Sequence, residues 1–239
     1  MTQAVSTVTS GRIELRAPGM TKMQEMARRM WLPMFLMGAM ALMAALGIGA
    51  AQSIISSDLN EVAGADRVTD NLLDKQQFIQ TTNIWLPRFQ LLGMGLMFGG
   101  ITFLLATILG NLRLYGGLVQ EKSGRKVLAL KPPWSAQLFP MLMMTGLMIL
   151  IGAFVVSIVI AATASDVYGN SVAEINGATA GSGLLSDLQE VKTFGAWLQA
   201  FAFTGLAMVL SGIVLALYTI AQVLRFQHTR IAELARGAE

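Results

Sequence analysis

The sequence predicts an all-α integral membrane protein: four transmembrane helices arranged as two parallel-repeat hairpins, both termini cytoplasmic, with short external helices. Three observations carry that prediction: the composition, an internal duplication, and an uneven distribution of Lys and Arg. Of the 239 residues, 54% are hydrophobic and 13% charged, against the ~25% charged that soluble domains carry. Residues 72–113 and 184–225 align without a gap at a spacing of 112, with 15 of 42 positions identical. The matches include Leu86/Leu198, Trp85/Trp197, Gly93/Gly205, Gly100/Gly212, Thr107/Thr219 and Arg113/Arg225. Shared apolar composition does not align tryptophans, glycines and a terminal arginine, so this is the pattern of an internal repeat.

The elements follow in chain order. Residues 1–29 form a cytoplasmic tail, polar with Gly and Pro up to about residue 19. Thr21 with Gln24 then has capping-box spacing, and methionines recur at helical intervals from Met20 to Met30, so a helix starts near residue 21. Four uncharged stretches, at about 30–54, 85–112, 134–164 and 196–224, each exceed the roughly 20 residues that cross a ~30 Å hydrocarbon core. A backbone in lipid satisfies its own hydrogen bonds, so these are helices. The first hairpin covers 30–113 with an external segment at 55–83. The second covers 134–226 with an external segment at 165–195, and 227–239 is a tail.

Between the hairpins lies a basic cytoplasmic loop, 114–133. It contains the turn signal Ser123-Gly124-Arg125-Lys126 and ends at Pro132-Pro133, which stop one element and start the next at Trp134. Each external segment carries an apolar helical face leading into the following span: Leu72, Leu73, Gln76 and Ile79 in the first, and Leu184, Leu185, Leu188 and Val191 in the second. Ser186 with Gln189 has capping-box spacing there. The odd-numbered spans relate more weakly, by aligning Pro33 with Pro140, Met34 with Met141 and Met37 with Met144, a spacing of 107.

Charge sets the orientation. Thirteen of the 17 basic residues fall in the two tails and the middle loop, while Arg67, Lys75, Arg88 and Lys192 fall on the other side with nine of the 14 carboxylates. Lys and Arg favour the cytoplasmic face, so both termini are expected inside. The compact loops fit a bacterial inner membrane. Trp31, Trp85, Trp134 and Trp197 stand at span starts, where aromatic belts lie. Arg113 and Arg225 close two spans and are expected to snorkel to the interface. Arg88, near the external edge, is expected to reach headgroups. The basic face needs no nucleic acid to explain it; anionic headgroups suffice.

Small residues four apart recur within the spans: Ala41-Ala45-Gly49, Gly95-Gly99, Ala153-Ser157, Ala207-Ser211 and Gly212-Ala216. Such pairs let helix backbones approach closely in lipid. They serve packing within one four-helix bundle, docking of another subunit, or both, and four helices cannot bury every such face.

Few residues here can carry chemistry. With no cysteine, disulfides and thiolate sites are excluded. His228, the single histidine, cannot supply bis-histidine haem ligation or a metal cluster. Met30/Met34 and Met144/Met148 have the spacing of a copper path, but the external loops lack methionine to capture the ion, and flexible apolar filling explains the 16 methionines better. The external carboxylates, Asp58 to Asp74 and Asp166 to Glu190, fit no calcium-loop template. No catalytic residue, metal ligand or cofactor site is therefore assigned.

The expected function is that of a non-catalytic subunit that packs against and stabilises a larger membrane complex, with lipid and other membrane subunits, or copies of itself, as partners. The alternative is an oligomeric transporter or channel, since parallel repeats also build transporters. Flux lost on changing Asn111 or Gln222, the polar groups near the cytoplasmic boundary, would favour that alternative.

Overall fold

The computed structural model describes residues 13–15, 22–63, 67, 69–122 and 128–236; Thr21 and Ser123–Lys126 lie outside them. In chain order the elements are β1 (Ile13–Leu15), α1 (Lys22–Asn60), α2 (Asp70–Lys122), β2 (Leu128–Leu130), α3 (Trp134–Tyr168), α4 (Val172–Gly177) and α5 (Gly183–Arg236). Four of these, α1, α2, α3 and α5, are long and apolar enough to cross a membrane. The chain is all-α but for a single antiparallel pairing of β1 with β2, in which Glu14 stands opposite Ala129. That pairing replaces the irregular backbone expected at residues 13–15.

The long helices swallow the segments flanking the spans. The external apolar faces at Leu72 and Leu184 are the first turns of α2 and α5, continuous with the spans that follow. On the opposite side α2 runs on to Lys122 and α5 to Arg236, so much of the middle loop and of the C-terminal tail is helical. Pro33, Pro87 and Pro140 sit inside helices. Pro132-Pro133 do end the preceding element, and the Ala136 N–H donates to the Pro133 carbonyl at the start of α3.

Two helix ends are closed by side chains. Arg67 folds back so that its Nε donates to the Val62 carbonyl (3.1 Å) and its Nη2 to the Leu59 carbonyl (2.9 Å) at the end of α1. A cation on orphan C-terminal carbonyls satisfies both their lone pairs and the helix dipole. At α4 a full capping box forms between Ser171 and Glu174. The box expected at Ser186 and Gln189 does not form, because α5 begins at Gly183 and the Ser186 N–H already donates to the Ser182 carbonyl.

By contacts the chain divides into two compact units. One comprises residues 1–35, 98–144 and 208–239, and the other 36–97 and 145–207. In the first, Leu109, Phe139, Ala216 and Val223 form a buried apolar cluster contributed by α2, α3 and α5. In the second, Ala45, Leu86, Leu91, Leu150, Ala153, Leu198 and Ala202 are buried. In the most apolar window of each long helix, α1 is 17% buried and α2 39%, so α1 is the least enclosed and α2 the most.

Candidate functional site

The repeated glycines are where helices touch backbone to backbone. A methyl group on Gly93 of α2 would lie 3.3 Å from the Gly38 carbonyl oxygen and 3.3 Å from the Ala41 Cβ of α1. One on Gly205 of α5 would lie 2.9 Å from the Gly146 carbonyl oxygen and 2.8 Å from the Ile149 Cγ2 of α3. Gly100 meets Trp31 and Phe35, and Gly212 meets Phe139 and Met143. Only a residue without a side chain permits such approach.

These partners fall in pairs 108 residues apart: Gly38 and Gly146, Ala41 and Ile149, Trp31 and Phe139, Phe35 and Met143. That spacing also pairs Ala45 with Ala153, which are 1% and 0% exposed. The spacing of 107 read from the prolines pairs Met34, 6% exposed, with Met141, 65% exposed. Its register is one residue short. Prolines are tolerated in membrane helices wherever neighbours re-satisfy the freed carbonyl, so they do not mark equivalent depth or face.

The expected small-residue positions divide by location. Ala45, Gly95, Gly99, Ala153, Ser157, Gly212 and Ala216 are buried, and Ala41 and Gly49 half-buried. Leu150 of α3 lies over Gly95, and the Met34 side chain of α1 over Gly99. Ala207 and Ser211, which match Gly95 and Gly99 in the duplication, are exposed.

Polar side chains cross between helices at a few points. Gln52 donates to Asn83 (2.6 Å), linking α1 to α2. Gln77 of α2 donates to the Ser165 carbonyl (2.9 Å) and hydroxyl (2.5 Å) of α3. Ser135 and Thr219 join their hydroxyls across α3 and α5 at 2.7 Å. Gln227 of α5 donates to the Leu112 carbonyl of α2.

Arg88 belongs to this set, contrary to the expectation that it reaches headgroups. It is 6% exposed. Its Nη2 donates to the Gly195 carbonyl of α5 (2.8 Å) and its Nη1 to the Ile84 carbonyl of its own helix (3.0 Å), while Nε is buried without an acceptor. Gly195 is what opens the way: a methyl there would meet nothing within 4 Å. The sequence signal was present, since Arg88 aligns with Ala200 and so departs from the duplication.

The expected interfacial anchors are not equivalent. Trp85 is half-buried with its ring edge-on to Phe89 (6.0 Å), and Trp31 is half-buried. Trp134 and Trp197 are 65% and 56% exposed, the latter stacked on Phe201 at 5.1 Å. Arg225 is exposed, whereas Arg113 is half-buried in the wall of a cavity of about 280 Å³ between α1, α2 and α3. Gln24 and Gln137 share its polar end, and Thr102, Phe139 and Met143 its apolar end.

The remaining candidates lie apart from one another. Met34 is buried and Met30 exposed, so that pair does not converge, and Met144 and Met148 are both exposed. His228 is exposed on the last turns of α5, and Asn111 and Gln222 are half-buried. Among the external carboxylates, Asp58 pairs with Lys75 at 3.5 Å. No group of three or more His, Cys, Asp or Glu that could hold a metal occurs among the described residues. Compared with family models, curated proteins and solved structures, the chain matches none.

Proposed function

We propose that the chain is a non-catalytic subunit of a bacterial inner membrane that packs against and stabilises a larger membrane assembly. In this reading α1 with α2 and α3 with α5 are two parallel-repeat hairpins, with both termini in the cytoplasm. The glycine contacts support the repeat: each copy brings the same two glycines of its second helix, 112 residues apart, against residues of its first helix that are 108 apart.

One observation carries the functional part. Gly95 and Gly99 are covered by neighbouring helices, while Ala207 and Ser211, at the same two positions of the second copy, are exposed. A face shaped for close helix contact is filled once and left open once. Lipid tails fill a small-residue face less well than another helix, because association in lipid is driven by van der Waals fit.

Purification from native membranes in mild detergent tests the reading. The expected result is a complex larger than one chain. A single chain with no co-purifying protein or second copy refutes it.

A further inference from the structure

We infer that the partner on the open α5 face is α1 of a second copy of this chain, bound head to tail in the same membrane orientation. The inference rests on the two-repeat reading and deepens it by naming the partner.

The template is the contact between α2 and α3, where the first repeat meets the first helix of the second. Three contacts build it in the unit of residues 36–97 and 145–207. Gln77 donates to Ser165, the Phe89 and Phe154 rings lie 5.4 Å apart, and Leu150 covers Gly95. Moving α2 forward by 112 residues gives Gln189, Phe201 and Ala207 on α5. Moving α3 back by 108 gives Ser57, Leu46 and Leu42 on α1.

Both halves of the contact are therefore present a second time, on the two outer helices. Gln189 repeats Gln77, Phe201 repeats Phe89, and Ser57-Asp58 repeats Ser165-Asp166. Neither half is covered. Gln189, Ala207 and Ser57 are exposed, and Leu46 is 67% exposed where Phe154 is half-buried. Ser57 gives its hydroxyl proton to the Ile54 carbonyl (2.7 Å), so its oxygen is left to accept from a glutamine amide, as Ser165 does.

The geometry suits a bilayer. Parallel repeats are related by an axis along the membrane normal, so a step from one repeat to the next preserves orientation. A third and fourth repeat supplied by a second chain then enter with their termini on the same side. The contact is heterologous, joining two different faces, so it propagates until a ring closes.

A chain without cysteine allows a clean cross-linking test. Chains carrying Ser57→Cys and Gln189→Cys, with different tags, are expressed together and treated in membranes with a short bismaleimide, which spans the bonds lost in shortening glutamine. The expected result is a mixed dimer at twice the chain mass when both variants are present, and no cross-link from either alone. Leu46→Cys with Phe201→Cys is a second, apolar pair expected to behave the same way. Gln77→Cys/Ser165→Cys within one chain should close without a gain in chain mass, reporting the template contact.

Closure of that internal pair with no mixed dimer from either intermolecular pair overturns the inference. So does a Gln189→Cys homodimer, or a Gln189→Cys adduct with a different polypeptide, the latter leaving the assembly reading intact. Failure of the internal pair to close removes the α2–α3 template and the inference with it. A native complex that lacks a second copy refutes the inference alone, whereas a native monomer refutes both.

Discussion

Ser135 and Thr219 form a hydroxyl pair 2.7 Å apart with neither residue exposed. Thr219 has already given its proton to the Leu215 carbonyl (2.8 Å), so the proton between the two oxygens belongs to Ser135. The direction of the bond follows from counting protons. In the first hairpin the corresponding positions are Ala27 and Thr107, both buried, and Thr107 likewise donates to its own helix at Phe103. The same place holds a hydrogen bond in one hairpin and a methyl group in the other.

Ser135→Ala should therefore cost about 0.6–1.7 kcal/mol, the range of interhelical hydrogen bonds in membrane proteins. Ala27→Ser should recover a similar amount by bonding to Thr107. Both are read by thermal unfolding in detergent micelles, and a loss of stability in Ala27→Ser would contradict the equivalence of the two hairpins.

Gly38 should tolerate no side chain. A methyl group there would stand 2.5 Å from the Met97 amide nitrogen and 2.6 Å from the Gly93 carbonyl oxygen, both main-chain atoms that cannot rotate away. Gly38→Ala should destabilise by about 2–3 kcal/mol through overpacking. Gly152, also mid-helix, has open space where its methyl would go. Gly152→Ala should be neutral or stabilise by up to ~1 kcal/mol from helix propensity. The same unfolding assay compares the two, and equal effects would rule out close approach as the cause.

Arg88 ties α2 to Gly195 of α5 while no carboxylate lies within ion-pair distance among the described residues. Arg88→Met keeps most of the volume, loses two hydrogen bonds and relieves the burial of a charge, so its net change should stay within about 1 kcal/mol. Arg88→Ala leaves a void and should cost about 2–4 kcal/mol. Equal losses in the two variants would show that the charge itself is required.

Glu174 should titrate below its ordinary value of 4.5, because the Ser171 N–H and hydroxyl donate to its carboxylate, each at 2.8 Å. A lowered value in the folded state means that the cap is fully present above the ordinary carboxylate range and is lost as pH falls through the lowered value. Carboxyl carbon shifts followed by NMR give the midpoint. Ser171→Ala should return it toward 4.5, and an unchanged midpoint in that variant would exclude the capping box as the cause.

Much of this was legible in the residues because lipid leaves few options. Four long uncharged stretches become helices, and glycines repeated at a spacing of 112 become contact points. What failed was whatever depended on partners far along the chain. Arg88 reads as a boundary cation until Gly195, 107 residues later, supplies its acceptor. The β1–β2 pairing joins three-residue segments more than a hundred residues apart, too short for any periodicity to register. Ser186-Gln189 matched a local pattern that Gly183 pre-empted, while Ser171-Glu174, equally local, was overlooked among the acidic residues. The exposure of Ala207 and Ser211 could not be read at all, since a small residue looks the same whether its neighbour is present or missing.

The contact of Leu150 on Gly95 also has a consequence in time. The chain is made from its N-terminus, and Leu150 emerges 55 residues after Gly95. At roughly 5–20 residues per second that is an interval of about 3–11 s. During it the first hairpin can be complete in α1 and α2 while the groove at Gly95 stands empty beside the insertion machinery. Nascent chains of the same protein, made side by side, would meet in that interval with the groove of one open to the first helix of another. Synthesis therefore sets a race between the chain's own third long helix and a neighbour's first, and the connection through the middle loop gives the chain's own helix the advantage.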